Sequence, residues 1–303
     1  RWSPDGESVA FLSDRESDGQ RQIYLLPTAG GEARQITSVE ESIPSPRSLD
    51  PLKWLPDGSG LGFIKIDPET EQEREQREAG IDAAPFEGNP KYTRLWKVGA
   101  DGSSPVCISR SKLQIWEYCL APDANRVGAV VSDTPWEWDW YRCRLVAFDS
   151  SGGGVTTLVD TDRQVAKPAW SPDGQYIAYL TSNWSDRGSD SGDVMIVRPD
   201  GGDPKNLTTG AAASYDSLRW SADSSSIIAT ANVDGGSAVV RISVDTGVIG
   251  QLWAGESWLL QLSMSLNGRF AALVSTPETH TEVHSGTLSG DDLPSIRSQA
   301  VTR

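Results

Sequence analysis

The chain has 303 residues, of which 37% are hydrophobic and 23% are charged, and its formal net charge is −15. Because so acidic a chain repels phosphates and anionic lipids, we expect neither nucleic acid nor a membrane as a partner. The apolar runs are shorter than the roughly 18 residues of a membrane span, and the N-terminus lacks the charged-then-apolar pattern of a signal peptide.

One short turn recurs along the chain and predicts its fold. In its clearest form it reads Trp-Ser-Pro-Asp-Gly, where proline presets the backbone, aspartate can bond its own main chain and glycine adopts a positive φ at little cost. A strand should therefore enter and leave each copy. The copies begin about 50 residues apart with one longer interval, which is the period of a propeller blade. Clear and weaker copies lie at 2–6, 54–58, 120–124, 170–174, 220–224 and 264–268.

A second signal, a glycine-bearing hairpin, follows each copy of the turn. A four-stranded sheet cannot bury both of its faces alone, so such units must stack on one another, and antiparallel hairpins argue against a solenoid of parallel coils. We predict an all-β fold, a β-propeller of four-stranded antiparallel blades with six blades visible and the ring open or incomplete. The hairpins lie at 29–31, 101–102, 151–152, 200–201, 246–247 and 289–290.

We expect one propeller domain over residues 1–303. The chain begins with Arg1 and Trp2 on the turn that should follow the first strand of a blade, without an initiator methionine. We therefore expect a piece of a longer polypeptide, whose full propeller has seven blades, with the first strand of blade one missing. The predicted blades cover approximately 1–40, 48–110, 112–160, 164–210, 215–254 and 258–303.

Blade two carries a long insertion. Residues 68–80 are rich in helix formers, with Pro68 near the start and Gly80 as a stop, and they have no apolar stripe. The pattern predicts a helix. Two interpretations stay open, a solvated excursion on the rim of the blade or an acidic arm that contacts a partner domain.

Blade three contains the densest aromatic cluster, 136–141. If this segment is a strand, its alternating tryptophans Trp136, Trp138 and Trp140 share one face, and that face must be covered. The cover is either the neighbouring blade or, if the cluster forms a wall at the propeller mouth, a substrate or a second domain.

Three aspartates and two histidines are candidates for metal ligands. Asp186, Asp190 and Asp193 lie in a loop rich in glycine and serine, but their spacing does not fit an EF-hand, which favours a solvated turn over a calcium site. His280 and His284 would pair on a helix, yet their segment is typical of a strand, which favours surface histidines. We expect no metal and no cofactor.

The cysteines indicate a compartment. Cys107, Cys119 and Cys143 are odd in number and too far apart for a metal clip, so they predict buried free thiols in a reducing, cytoplasmic environment.

No catalytic centre is visible. A nucleophile elbow, GxSxG, is missing, and the nearest segment, 188–192, has Asp190 at its middle position. With two histidines only, a Ser/His/Asp constellation cannot be assembled, and P-loop, HExxH and GxGxxG motifs are absent from the sequence. We assign no catalytic residue.

Several stretches carry a family resemblance. Residues 13–15, 22–37 and 91–98, with an echo at 185–187, resemble the propeller of the prolyl oligopeptidase family (peptidase S9), in its acylaminoacyl-peptidase and dipeptidyl-aminopeptidase-like branch. The resemblance implies a propeller of seven or sometimes eight blades that caps a C-terminal α/β-hydrolase domain and filters access to its serine triad. Such enzymes release N-terminal residues or dipeptides from short peptides.

The sequence departs from that family because it shows six turns and no hydrolase half. Two functions therefore compete. In the first, the chain is the noncatalytic propeller of a serine peptidase, with the hydrolase domain and a peptide substrate as partners. In the second, it is a TolB-like propeller that binds proteins, since TolB-like propellers share the recurring turn. A GxSxG motif encoded downstream of Arg303 would select the first.

Overall fold

A computed structural model describes residues 1–44, 50–81, 88–265, 269–287 and 299–300. In these ranges the chain forms six antiparallel sheets and two short helices, which confirms the predicted all-β propeller fold. We call the sheets blades one to six in chain order. The chain divides into two compact units of three blades each, Arg1–Asp162 and Arg163–Arg303.

The first unit contains blades one to three. Blade one comprises β1 (Ser8–Ser13), β2 (Gln22–Pro27) and β3 (Arg34–Gln35). Blade two comprises β4 (Leu52–Trp54), β5 (Gly60–Ile66), β6 (Thr93–Gly99) and β7 (Val106–Cys107), with helix α1 (Glu71–Glu78) between β5 and β6. Blade three comprises β8 (Gln114–Leu120), β9 (Arg126–Ser132), β10 (Arg144–Asp149) and β11 (Thr156–Val159), with helix α2 (Glu137–Trp140) between β9 and β10.

The second unit contains blades four to six. Blade four comprises β12 (Gln164–Trp170), β13 (Ile177–Ser182), β14 (Asp193–Val197) and β15 (Lys205–Asn206). Blade five comprises β16 (Ser214–Tyr215), β17 (Arg219–Trp220), β18 (Ser226–Val233), β19 (Gly236–Ser243) and β20 (Ile249–Gly255). Its first strand is split, since β16 and β17 both pair with β18. Blade six comprises β21 (Trp258–Met264), β22 (Arg269–Thr276), β23 (Thr279–Thr287) and β24 (Gln299–Ala300).

The recurring turn is held by its own serine and aspartate. In the copy at 170–174, the Ser171 hydroxyl donates to the Asp173 carboxylate at 2.6 Å and accepts from the Tyr176 main-chain N–H at 2.9 Å. The Asp173 carboxylate also accepts from the Gln175 N–H at 3.0 Å, and Gly174 has φ +74°. The predicted strands β12 and β13 enter and leave this turn.

The copy around Asp223 repeats this arrangement. The Ser221 hydroxyl and then the Ser225 N–H, both donating to the carboxylate, lower the pKa of Asp223 to about 2. Ser224 stands where the clearest copies have glycine, and it keeps the left-handed backbone with φ +60°. The hydrogen-bonding residues rather than the glycine therefore define the turn. The predicted copy at 264–268 and the hairpin at 289–290 extend beyond the described residues.

Two of the turn tryptophans also join neighbouring blades. The Trp220 indole N–H donates to the Ala169 carbonyl of blade four at 2.9 Å, and the Trp54 indole N–H donates to the Arg1 carbonyl at 3.0 Å. Each acceptor immediately precedes the turn tryptophan of the preceding blade. In these two copies the Trp side chain therefore connects two blades as well as marking a turn.

Apolar faces pack blade against blade within each unit. Ala178 and Leu180 on β13 are fully buried and pack with Ala229 and Ala231 of blade five. The strand registers place Ala271 and Leu273 of blade six at the positions of Ala178 and Leu180. We call the face that carries these residues the forward face of a blade.

The forward face of blade six is accessible to solvent. Ala271 and Leu273 are half-buried, whereas Leu260, which pairs with Leu273, is 46% exposed. Trp258 on the same strand is 48% exposed. The same residue pattern is thus buried in blade four and open in blade six.

Candidate functional site

The aromatic segment 136–141 forms a helix, so our prediction of a strand with three tryptophans on one face is wrong. The Thr134 hydroxyl donates to the Asp139 carboxylate, and the Asp139 N–H donates to the Trp136 carbonyl at 3.0 Å, which closes a helical turn. Because helical residues two apart point in different directions, Trp138 and Trp140 lie in different environments. Trp140 is 1% exposed and Trp138 is 46% exposed.

The half-buried Trp136 and the exposed Trp138 and Tyr141 form what we call the aromatic surface. The Trp136 and Trp138 rings stack with centroids 5.6 Å apart at 20°. Tyr141 is 41% exposed and meets the buried Trp140 ring edge-on at 5.1 Å. A rigidly anchored apolar surface of this kind is typical of a contact with another molecule.

The segment that carries the aromatic surface is tied to both of its neighbouring strands. The Tyr92 hydroxyl, just before β6, donates to the Asp133 carbonyl at 3.2 Å. The Asp133 carboxylate forms an ion pair with Arg144 on β10 at 2.6 Å. These contacts hold the start of the segment against blade two and against the next strand of its own blade.

Helix α1 occupies the corresponding connection of blade two. Thr70 caps it, and the Thr70 N–H donates to the Glu73 carboxylate at 2.7 Å. Lys91, which donates to the Glu73 carboxylate at 2.5 Å, lowers the pKa of Glu73 to about 2, with a further contribution from Thr70. No residue of α1 is buried. Both α1 and α2 thus join the second and third strands of successive blades.

Blade one has a smaller feature in the same connection. The Arg15 guanidinium lies 4.9 Å from the Tyr24 ring centroid and 5.2 Å from that of Phe11. The two rings stack 5.8 Å apart. Arg15 belongs to one of the stretches that resemble prolyl oligopeptidase propellers, and in this chain it makes a cation–π contact.

The three candidate aspartates do not share one environment. Asp186 is exposed and Asp193 forms an ion pair with Arg163 at 3.2 Å. Asp190 is 4% exposed, so the interpretation of this loop as a solvated turn is wrong for Asp190. Burial raises the pKa of Asp190, although the nearby Lys167 opposes the shift.

Lys167 explains how the loop of Asp190 is held. It has a left-handed backbone, φ +52°, within a bulge of β12. Its ammonium group donates to the Asp190 carbonyl at 3.1 Å and to the Asp216 carbonyl at 2.5 Å. Lys167 therefore joins blade four to the start of blade five. In the described ranges no group of three or more His, Cys, Asp or Glu residues could hold a metal ion.

The histidines and cysteines are dispersed. His280 and His284 lie on β23, and the His284 ring nitrogen is 3.9 Å from the Glu282 carboxylate. All three cysteines are free thiols, of which Cys119 and Cys143 are buried and Cys107 is half-buried. Neither helix in the described part of the chain has the length and apolar content needed to cross a bilayer.

Sequence reasoning missed a buried hydroxyl that follows the last strand of blades one, two and four. Thr37, Ser109 and Thr208 accept hydrogen bonds from the main-chain N–H groups of the adjacent third strand at 2.8, 3.0 and 3.0 Å. The available signal was an apolar residue followed by Thr or Ser at the end of each repeat. These hydroxyls satisfy a buried donor rather than perform chemistry.

Comparison with known proteins places these features in context. No family model matches the chain. It is 29% identical over 208 residues to the uncharacterized protein Atu1656 of Agrobacterium fabrum, which covers 59% of this chain and 67% of that protein. It is 44% identical over 61 residues to the uncharacterized peptidase YuxL of Bacillus subtilis, which covers 20% of this chain and 8% of the peptidase.

Solved structures share the fold. An oligogalacturonate lyase from Vibrio parahaemolyticus superposes with a TM-score of 0.71 at 13% identity, over 99% of this chain and 75% of the lyase. An acylaminoacyl peptidase gives 0.66 at 13% identity, over 96% of this chain and 44% of the peptidase. TolB from Acinetobacter baumannii gives 0.55 at 14% identity, over 95% and 59%.

These matches confirm the resemblance that the sequence indicates. The chain covers 44% of the acylaminoacyl peptidase, and 61 of its residues match 8% of YuxL. Identities of 13–14% carry the fold alone. The chain is therefore a β-propeller of the type found in prolyl oligopeptidase-like peptidases, in TolB and in oligogalacturonate lyase.

Proposed function

We propose that the chain is the noncatalytic propeller of a serine peptidase and that it controls the access of short peptides to an α/β-hydrolase domain. The observation that supports this role most strongly is the segment with 44% identity to YuxL. That identity is far above the 13% that accompanies a shared fold with the acylaminoacyl peptidase. The segment therefore favours common ancestry with a peptidase over similarity of fold alone.

The aromatic surface supplies the contact that such a role requires. Trp138 is 46% exposed, and Trp140 on the same helix is fully buried. The buried Trp140 anchors the helix, so the Trp138 indole stays at the surface. Tryptophan is enriched among the residues that dominate binding energy at protein interfaces. In this proposal the aromatic surface contacts the hydrolase domain.

The reading frame downstream of Arg303 is the first test. A GxSxG motif in an α/β domain supports the proposal, and a stop codon contradicts it. The whole protein should cleave a short chromogenic peptide and leave a folded protein intact. A variant without the propeller should lose that discrimination, whereas this chain alone should release no product from aminoacyl or acylaminoacyl substrates.

The second test measures binding between this chain and the hydrolase domain. Trp138→Ala should weaken the affinity by about tenfold or more, because a tryptophan at the centre of an interface contributes strongly. Trp258→Ala is the matched control, since Trp258 is exposed to a similar extent in a different blade. Equal affinities for the two variants would remove the aromatic surface from the interface.

A second function, a TolB-like module that binds other proteins, has one observation in its favour. The Agrobacterium relative is matched over 67% of its length, whereas YuxL is matched over 8%. In that relative most of the protein therefore corresponds to the propeller. Two results together would favour this function: a reading frame that ends after the propeller, and the recovery of a specific protein partner bound to this chain.

A further inference from the structure

A cavity of about 380 Å³ lies beside the hairpin between β14 and β15, and we call it the hairpin cavity. Its lining includes Tyr176, Arg198 and the glycine pair 201–202. The other charged residues of the lining are Asp203, Lys205 and Asp245. The volume falls within the range of small-molecule sites.

Lys205 has a structural role that recurs in another blade. Its ammonium group donates to the Val244 and Asp245 carbonyls, both at 2.8 Å, and so joins blade four to the third strand of blade five. Arg34 occupies the same place in blade one, where it donates to the Ala100 carbonyl at 2.6 Å. Because the bond is shared, Lys205 is not what distinguishes the hairpin cavity.

The pair formed by Tyr176 and Arg198 does distinguish it. The Arg198 guanidinium lies 5.6 Å from the Tyr176 ring centroid. By strand register, the same pair of positions is Ser8 and Pro27 in blade one, and neither residue can make this contact. The ring holds the guanidinium in place while the edge of the group keeps its N–H donors available.

The charges of the lining are opposite and separate. Among the described residues, Arg198 forms no ion pair within 4.0 Å, and neither does Asp203 or Asp245. A guanidinium binds a carboxylate with two parallel hydrogen bonds, and a carboxylate binds an ammonium group. The lining therefore offers complementary groups for both ends of a dipolar molecule.

We propose that the hairpin cavity binds a small dipolar ligand that carries one carboxylate and one ammonium group, such as a free amino acid or a dipeptide. Arg198, held on Tyr176, binds the carboxylate. Asp203 and Asp245 bind the ammonium group. The site goes beyond the function proposed above and does not depend on it, because its lining comes entirely from this chain.

The test is a titration of the isotopically labelled chain with alanyl-alanine, followed by NMR. The amide signals of Gly201 and Gly202 report on the cavity, and they should shift and reach saturation. N-acetyl-alanyl-alanine lacks the ammonium group and alanyl-alanine amide lacks the carboxylate. The affinity for each of these two probes should be about tenfold or more below that for alanyl-alanine, because each lacks one charged hydrogen bond. Equal binding of all three probes, or glycine signals that do not saturate, would overturn the proposal.

Variants assign the two charges. Arg198→Met keeps an aliphatic chain on Tyr176 and should weaken alanyl-alanine by about tenfold or more. Asp203→Asn should weaken alanyl-alanine but change the acetylated probe little. Arg142→Met removes an exposed arginine of blade three and should leave binding unchanged. Wild-type affinity in both cavity variants would contradict the assignment.

Discussion

The forward faces of blade four and blade six carry similar residues in different surroundings. In blade four, Ala178 and Leu180 are fully buried against blade five. In blade six, Ala271 and Leu273 occupy the same register but are half-buried, and Leu260 beside them is 46% exposed. The difference teaches that the sequence of a blade specifies an apolar face. The adjacent blade determines how far that face is buried and therefore how much it stabilises the fold.

The largest expected effect follows from truncating the two leucines. Leu180→Ala should lower the free energy of unfolding by about 2–5 kcal/mol, because it removes a fully buried side chain and leaves a cavity. Leu273→Ala should lower it by about 1 kcal/mol or less, since water already reaches that side chain. Urea unfolding of the two variants measures the difference, and equal losses would show that something covers the blade-six face in solution.

A smaller effect should follow from removing one buried hydroxyl. Thr208→Val leaves the Val194 N–H without its acceptor inside blade four, which should cost about 1–3 kcal/mol. Thr281→Val, at an exposed position on β23, is the matched control and should stay within about 0.5 kcal/mol of wild type. Similar losses in both variants would mean that β propensity, rather than the hydrogen bond, decides the outcome.

The turns allow a still smaller, stabilising test. Ala124 has φ +58° where glycine is preferred, so Ala124→Gly should raise the free energy of unfolding by about 1 kcal/mol. Ser224 has φ +60°, but its hydroxyl also accepts from the Asp173 N–H of blade four at 3.0 Å. Ser224→Gly should therefore gain little, because the lost bond offsets the relief of strain. Thermal unfolding compares the two, and an equal gain would argue that the bond between blades contributes nothing.

The smallest effect is visible only as a pH dependence. The pKa of Asp223 is lowered to about 2, so its ionised form stabilises the folded state. That stability is complete above the unfolded pKa of about 4 and is lost as the pH falls towards about 2. The melting temperature of Asp223→Ala should lie below that of wild type at pH 5, and the gap should narrow towards pH 2. A constant gap would contradict this role of the carboxylate.

The strands were predictable because their signals are local. Within a few residues, Ser171 and Asp173 supply the side-chain acceptors that hold the turn, and Gly174 supplies its positive φ. The same chemistry recurs at Ser3 and Ser221, so the period of the blades follows from the sequence. The resemblance to peptidase propellers likewise depends on short contiguous stretches.

The parts that the sequence could not predict depend on distant or ambiguous contacts. Alternating tryptophans in six residues fit a strand as well as a helix, and the bond from Thr134 to Asp139 favours the helix. The burial of Asp190 depends on a loop that Lys167 holds from 23 residues away. The contact of Arg198 with Tyr176 joins two strands whose register the local pattern does not specify.

The indole bonds between blades have a consequence for how the blades stay aligned. Apolar contact is non-directional, so two smooth faces could slide over one another with little loss of energy. The bond from Trp220 to Ala169 prevents such sliding, since a shift of a few ångströms would strand a largely buried donor without an acceptor. In blade three, Leu120 replaces the turn tryptophan. There the Tyr118 hydroxyl donates to the Gly62 carbonyl of the preceding blade at 2.7 Å and fixes the position of the two blades in the same way. Registration between blades is therefore set by directional polar contacts, and adhesion by the apolar area around them.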